Sequence, residues 1–82
     1  MPDTNLLNRI SVNPAICHGK PCIRGHRIPV AVVLDRLADG ESVDDLALDY
    51  PGVSRDDILA CVAYAALLAR GTLFELQPGK TG

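Results

Sequence analysis

Aromatic side chains are almost missing from this chain: two tyrosines, one phenylalanine and no tryptophan among 82 residues. Any core must therefore be aliphatic, built from Leu, Val, Ile and Ala. Long apolar runs are missing too. The longest, "ILACVAYAALLA" from Ile58 to Ala69, falls far short of the roughly 20 residues a bilayer requires. The opening "MPDTNLLNRI" lacks a basic n-region and a long apolar h-region, so it does not read as a signal peptide. An even cysteine framework is absent, because there are three cysteines; a reduced, cytoplasmic setting is the expectation. Nor is there a large net charge, which stands at −2 and by itself argues against nucleic acid as a partner.

What is present is a composition of a folded domain, 48% hydrophobic and 22% charged. The length gives one small domain with a thin core, since a chain of this size buries only about 60–65% of its unfolded surface. Such domains often need a disulfide, a metal or a partner subunit, so oligomerisation is expected before any motif is read. The modest net charge conceals an asymmetry. Residues 1–30 carry Arg9, Lys20, Arg24 and Arg27 against Asp3 alone, a balance of +3, whereas residues 31–82 set four cations against nine acids, a balance of −5. Opposite signs on the two halves predict two surfaces with different tasks and reopen the case for nucleic acid.

Along the chain, residues 1–9 lack periodicity and are expected to fray. "RISV" alternates and closes at Asn13-Pro14, which predicts a short strand and turn. "PCIRGHRIPV" gives a second extended stretch, with Pro29 holding Ile28 out of the helical region. Residues 10–29 therefore read as a β-arm or loose hairpin. From Pro29 the period becomes helical: Val30, Val33, Leu34 and Leu37 stand at i, i+3, i+4, i+7, and Gly40 lies past the end. Val43, Leu46, Ala47 and Tyr50 repeat the pattern, with Ser42 and Asp45 spaced as a capping box. Pro51-Gly52-Val53 breaks the chain. Ser54 and Asp57 then repeat the capping spacing at the head of a third helix, which runs to about Arg70 with Gly71 at C′. The fold class expected is mainly α: a short N-terminal β-arm or hairpin, a three-helix bundle over residues 30–71 containing a helix-turn-helix, and a tail over 72–82.

The third helix carries apolar residues on two faces. Ile58, Cys61, Val62 and Ala65 mark one; Leu59, Ala63, Ala66 and Leu67 mark the other. A helix apolar nearly all round is buried all round, and an 82-residue monomer offers little to cover both faces. The second face is expected to meet another copy of the chain. The alternative is that the N-terminal arm and the tail cover it. In the tail, Leu73, Phe74 and Leu76 precede a Pro-Gly end and could dock a partner.

Chemistry centres on "AICHGKPCIRGHRIPV", Ala15 to Val30. Cys17, His18 and Cys22 with His26 include zinc-binding residue types, but the cysteine spacing is loose and no second ligand pair follows, so no metal and no cofactor is expected. C-x4-C is not the C-x-x-C of dithiol oxidoreductases. "HGKPCIRG" lacks the G-x-x-x-x-G-K-[ST] phosphate loop. Neither histidine has an acid nearby in sequence and no nucleophile–base pair can be assembled, so the chain does not read as an enzyme. Two amphipathic helices joined by a three-residue turn containing Gly52 do fit a helix-turn-helix, whose second helix enters the major groove by its N-terminal residues. Here these are Ser54 and Arg55, followed by Asp56 and Asp57, which phosphates would repel. Lys20, Arg24 and Arg27 on the arm could track a nucleic-acid backbone or groove, or they could pair with the acidic helices.

The segment from Arg9 to Arg70, about three-quarters of the chain, resembles the domain of unknown function 433 family. The resemblance rests on a P-x-I-C-x-G-K-P-x-I-x-G-x-R-I-P-V core at Pro14–Val30, a helix, the D-Y-P turn at Asp49–Pro51 and a final helix. His18, Cys22 and His26 depart from the small residues usual there. The resemblance implies a homeodomain-like helix-turn-helix and a VapB-like antitoxin that neutralises a PIN-like ribonuclease toxin and represses its own operon. On that reading the partners are a second copy of the chain, the toxin and operator DNA, with no membrane. Lys20, Arg24, Arg27, Ser54 and Arg55 would meet DNA. Leu59, Ala63, Ala66, Leu67, Phe74 and Leu76 would form the dimer or toxin interface, with Arg70 or Lys80 offering a cation to the acidic nuclease site. The alternatives are a stand-alone helix-turn-helix regulator and a dimerisation or adaptor module that binds no DNA.

Overall fold

The computed structural model describes residues 4–71. Thr4–Leu7 form a single helical turn, α1, followed by strands β1 (Ile10–Ser11), β2 (Cys22–Ile23) and β3 (Ile28–Pro29) and helices α2 (Val30–Ala38), α3 (Val43–Asp49) and α4 (Arg55–Gly71). The strands make one antiparallel sheet in the order β1-β2-β3, with Ile10 opposite Ile23 and Ile23 opposite Ile28. The chain is thus mainly helical with a small sheet at its N-terminal side, and residues 10–29, expected as a β-arm or loose hairpin, supply all three strands of that sheet.

Local chemistry explains the boundaries. Pro29, with extended backbone (φ −64°, ψ 139°), ends β3 and stands as N-cap of α2. α2 stops in a Schellman motif: Gly40 at φ +101° donates to Leu37 O and Glu41 donates to Arg36 O, a reversal that a left-handed glycine makes without Cβ strain. Both expected capping boxes form. Ser42 Oγ accepts from Asp45 N at 3.0 Å while Asp45 accepts from Ser42 N at 3.2 Å; Ser54 Oγ and Asp57 N repeat the geometry at 3.2 Å, with Asp57 accepting from Ser54 N at 3.0 Å.

The aliphatic core joins all these elements. Ile10 and Ile23 come from the sheet, Val30 and Val33 from α2, Leu46 from α3, Val53 from the α3–α4 turn, and Ile58, Ala60 and Cys61 from α4. Burying each of the larger aliphatic side chains contributes about 1.5–3 kcal/mol. α4 is the central element, in contact with α1, α2, α3 and β1.

Two expectations change here. Residues 4–9 do not fray: α1 packs on α4, Leu6 reaches the core and Arg9 N donates to Leu6 O. A four-residue helix is too short to hold itself in water; its stability comes from contacts with residues about 50 positions away, which periodicity cannot register. The two faces assigned to α4 are also redrawn. Its inner stripe is Asp57, Ile58, Ala60, Cys61 and Ala63, while Val62 is exposed. Ala63, placed on the partner face by sequence, is 7% exposed.

Candidate functional site

The β2–β3 connection, Arg24-Gly25-His26-Arg27, is closed by His26 N donating to Ile23 O at 3.0 Å. Arg27 follows in the left-handed region at φ +56°, an uncommon conformation for a residue with a Cβ. Register and turn together bring this hairpin tip to the α3–α4 connection. Gly52 has φ +89°, and a Cβ on it would stand 3.4 Å from His26 Cε1. Glycine there serves both the reversal and the close approach of the imidazole.

The five residues expected to meet DNA separate into different roles. Arg24 is exposed but engaged: Nε donates to Asn8 O at 2.8 Å and the guanidinium to Ile10 O at 3.1 Å, so it staples the α1–β1 link onto the hairpin. Ser54 Oγ is occupied as the N-cap of α4. Arg55 leans on Asp44 at 3.4 Å, both well exposed. Lys20 and Arg27 are exposed, and no hydrogen bond or ion pair engages either side chain among the described residues. Within the chain, among the described residues, no ion pair joins Arg24 or Arg27 to the acidic helices; Asp56 and Asp57 pair with Arg9, Glu41 and Asp49 with Arg36, and Asp44 with Arg55.

Arg9 is the residue that sequence reasoning passed over. Its guanidinium donates to Asp57 Oδ1 at 3.0 Å and lies 3.8 Å from Asp56. Burial pushes the Asp57 carboxyl up, but hydrogen bonds from Ser54 and Arg9 outweigh it and hold the group below its ordinary value. A separation of 48 residues left no local signal for this pair. Arg36 is a second hub: it donates to Glu41 at 2.9 Å and to Asp49, and its guanidinium lies 5.4 Å from the Tyr50 ring centre, an added cation–π contact. Glu41 first, then Asp49, raise Arg36 above its ordinary value.

The cysteines are placed for packing. Cys61 is buried on α4 and its thiol is pushed up to about 12, first by burial and then by Asp57, which keeps it protonated and poorly nucleophilic. Cys22 is buried in β2 and also raised, by burial and then by its neighbour Cys17. Cys17 Sγ donates to Arg27 O at 3.4 Å. Cys17 and His18 both have left-handed backbones, at φ +52° and +56°. Among the described residues, no three His, Cys, Asp or Glu side chains gather as a group able to hold a metal ion.

Away from the hairpin tip lies an apolar groove of about 290 Å³ between the base of the hairpin, α2 and the later part of α4. Pro21 and Pro29 lie side by side at the hairpin base, where Val30 N donates to Pro21 O. Among the described residues, none of those expected at the partner interface lines this groove. Leu59 and Ala66 are half-buried and Leu67 is 45% exposed; Phe74 and Leu76 lie outside the described residues. No helix among the described residues is long and apolar enough to cross a membrane.

Comparison with known proteins agrees with the resemblance carried by Pro14–Val30. The family described as Protein of unknown function (DUF433) matches residues 10–65. No curated protein matches the sequence. The fold is similar to the crystal structure of a DUF433 member protein from Anabaena variabilis, with a TM-score of 0.71 and 30% sequence identity over 82% of this chain and 66% of that one. This chain therefore spans just under two thirds of that protein's length. With more than half of its residues inside the family match and a relative of the same fold at this identity, the chain belongs to the DUF433 family.

Proposed function

We propose that the protein is a cytoplasmic antitoxin of a type II toxin–antitoxin pair. It binds and neutralises a PIN-like ribonuclease and represses its own operon through a helix-turn-helix formed by α3, the Tyr50–Ser54 turn and α4. The observation that carries this reading is the seating of the cationic hairpin tip against the α3–α4 turn, with His26 against Gly52. Arg27 thereby adds positive charge beside a first turn of α4 in which Asp56 and Asp57 outnumber Arg55. Arg9 also answers Asp57 and partly shields Asp56, which reduces the repulsion a phosphate would meet there. DNA contact then comes mainly from the hairpin, with Arg55 beside it. Arg24 acts by holding the hairpin rather than by touching DNA.

The toxin and the second copy are assigned to the other end of α4. At 1.5 Å per residue, Gly71 lies roughly 24 Å from Arg55, so DNA and protein partners need not compete. Leu67 and half-buried Ala66 centre the dimer surface, which half-buried Leu59 extends toward the first turn of α4, and the segment beyond Gly71 carries Phe74 and Leu76 to the toxin. Aromatic and aliphatic anchors of this kind concentrate binding energy in partner pockets.

Co-expression with the product of the adjacent reading frame tests the reading. Growth arrest by the neighbour alone, relieved by this chain within a complex that co-purifies, is the expected result. A harmless neighbour that does not bind removes the antitoxin assignment and leaves operator binding to be titrated for a stand-alone regulator.

A further inference from the structure

The apolar groove is lined by Pro21, Pro29, Val30, Leu34, Tyr64 and Leu68, with Lys20 at its edge. Its volume of about 290 Å³ lies at the bottom of the range for small-molecule sites, about 300–1,000 Å³. It suits one or two large side chains better than a cofactor. We propose that the occupant is this chain's own C-terminal segment, Thr72–Gly82, with Phe74 seated in the groove.

Reach, pattern and charge each select that segment. Leu68 and Tyr64 line the groove three and seven residues before Gly71, so the groove lies within about 10 Å of Gly71 at 1.5 Å per residue. Three extended residues cover a similar distance at about 3.3–3.6 Å each. The third residue after Gly71 is Phe74, and eight more follow it. In an extended segment Phe74 and Leu76 share one side while Glu75 takes the other. Glu75 is the single acid of the tail, and Lys20 at the groove edge has no partner among the described residues; the two are complementary. A second copy packing through α4 offers Lys20 no such charge, because Ile58–Gly71 contains neither Asp nor Glu.

The inference concerns the free chain, and toxin binding through Phe74 and Leu76 would draw the tail out of the groove; co-expression can succeed or fail whatever the free chain does with its tail. Phe74 is the only phenylalanine, so labelling phenylalanine rings alone marks it. The test is nuclear Overhauser contact from that ring to the methyl groups of Val30, Leu34 and Leu68 in the full chain, repeated with isotope filtering on a mixture of labelled and unlabelled protein. Contacts that persist within one labelled chain, and vanish in Phe74→Ala, are the expected result. Contacts seen only between labelled and unlabelled chains would assign the groove to another copy's tail and overturn the proposal. A Phe74 ring with no contact to any of the three methyl-bearing residues would overturn it as well.

Discussion

Between Arg55 and Ala63, α4 buries five residues, Asp57, Ile58, Ala60, Cys61 and Ala63, beneath α1, β1 and the other helices. From Ala65 to Gly71 none is fully buried, and Leu67 and Leu68 stand 45% and 52% exposed. Both halves carry Ala and Leu, and the more apolar-looking run Ala65–Ala69 is the less buried one. Position distinguishes them: the first half lies where the chain returns to cover it, and the second projects beyond that cover. One continuous helix thus supplies the hub of the core at one end and an apolar surface suited to partners at the other.

The largest expected effect tests this contrast directly. Ile58 is wholly buried, and Ile58→Ala should cost about 2–5 kcal/mol, a large share of the roughly 5–15 kcal/mol typical of a whole domain. Leu67→Glu on the same helix should change monomer stability by no more than about 0.5 kcal/mol, while weakening any assembly through that face. Urea midpoints for the two variants decide the matter. Equal losses would mean that the second half is covered within the monomer after all.

The two capping boxes sharpen the comparison at the next level down. Ser42–Asp45 is exposed, whereas Ser54–Asp57 is part-buried and tied to Arg9. Asp57→Asn should cost about 2 kcal/mol at neutral pH, through a weakened cap and a lost charge-assisted hydrogen bond. Because Asp57 ionises more readily in the folded chain than in the unfolded one, its charge adds stability above the ordinary carboxylate range. That contribution is lost as pH falls through its lowered folded value. Wild type and variant should therefore converge in acid and separate towards neutrality, with urea midpoints at a series of pH values as the readout. A gap that stays constant into acid would show that the carboxylate charge is not what holds α1 to α4.

Which parts of this were legible in the sequence follows the same division between local and distant. The helices from Val30 and Val43, both capping boxes and the Gly40 stop depend on residues within one or two turns of each other, and pattern alone exposes them. The family resemblance at Pro14–Val30 was equally readable, because its glycines and prolines fix a run of turns. α1 and the Arg9–Asp57 pair depend on contacts across most of the chain, where spacing carries no signal. The bonds of Arg24 were hidden for a related reason. A cation on an arm looks available in sequence, and only the fold reveals the carbonyls of Asn8 and Ile10 that accept from it.

The smallest expected effect separates the two arginines of the hairpin tip. Arg24→Ala removes two hydrogen bonds to backbone carbonyls and should cost about 1 kcal/mol of stability, given their partial exposure. Arg27→Ala removes no such bond among the described residues and should leave the urea midpoint nearly unchanged. On DNA the order reverses. If Arg27 meets a phosphate, its loss should weaken binding across sequences and lower the slope of log affinity against log salt by about 1. Arg24→Ala should leave that slope in place once binding is measured on folded protein. An unchanged slope for Arg27→Ala would take the hairpin tip out of the DNA interface and leave Arg55 as the remaining candidate beside it.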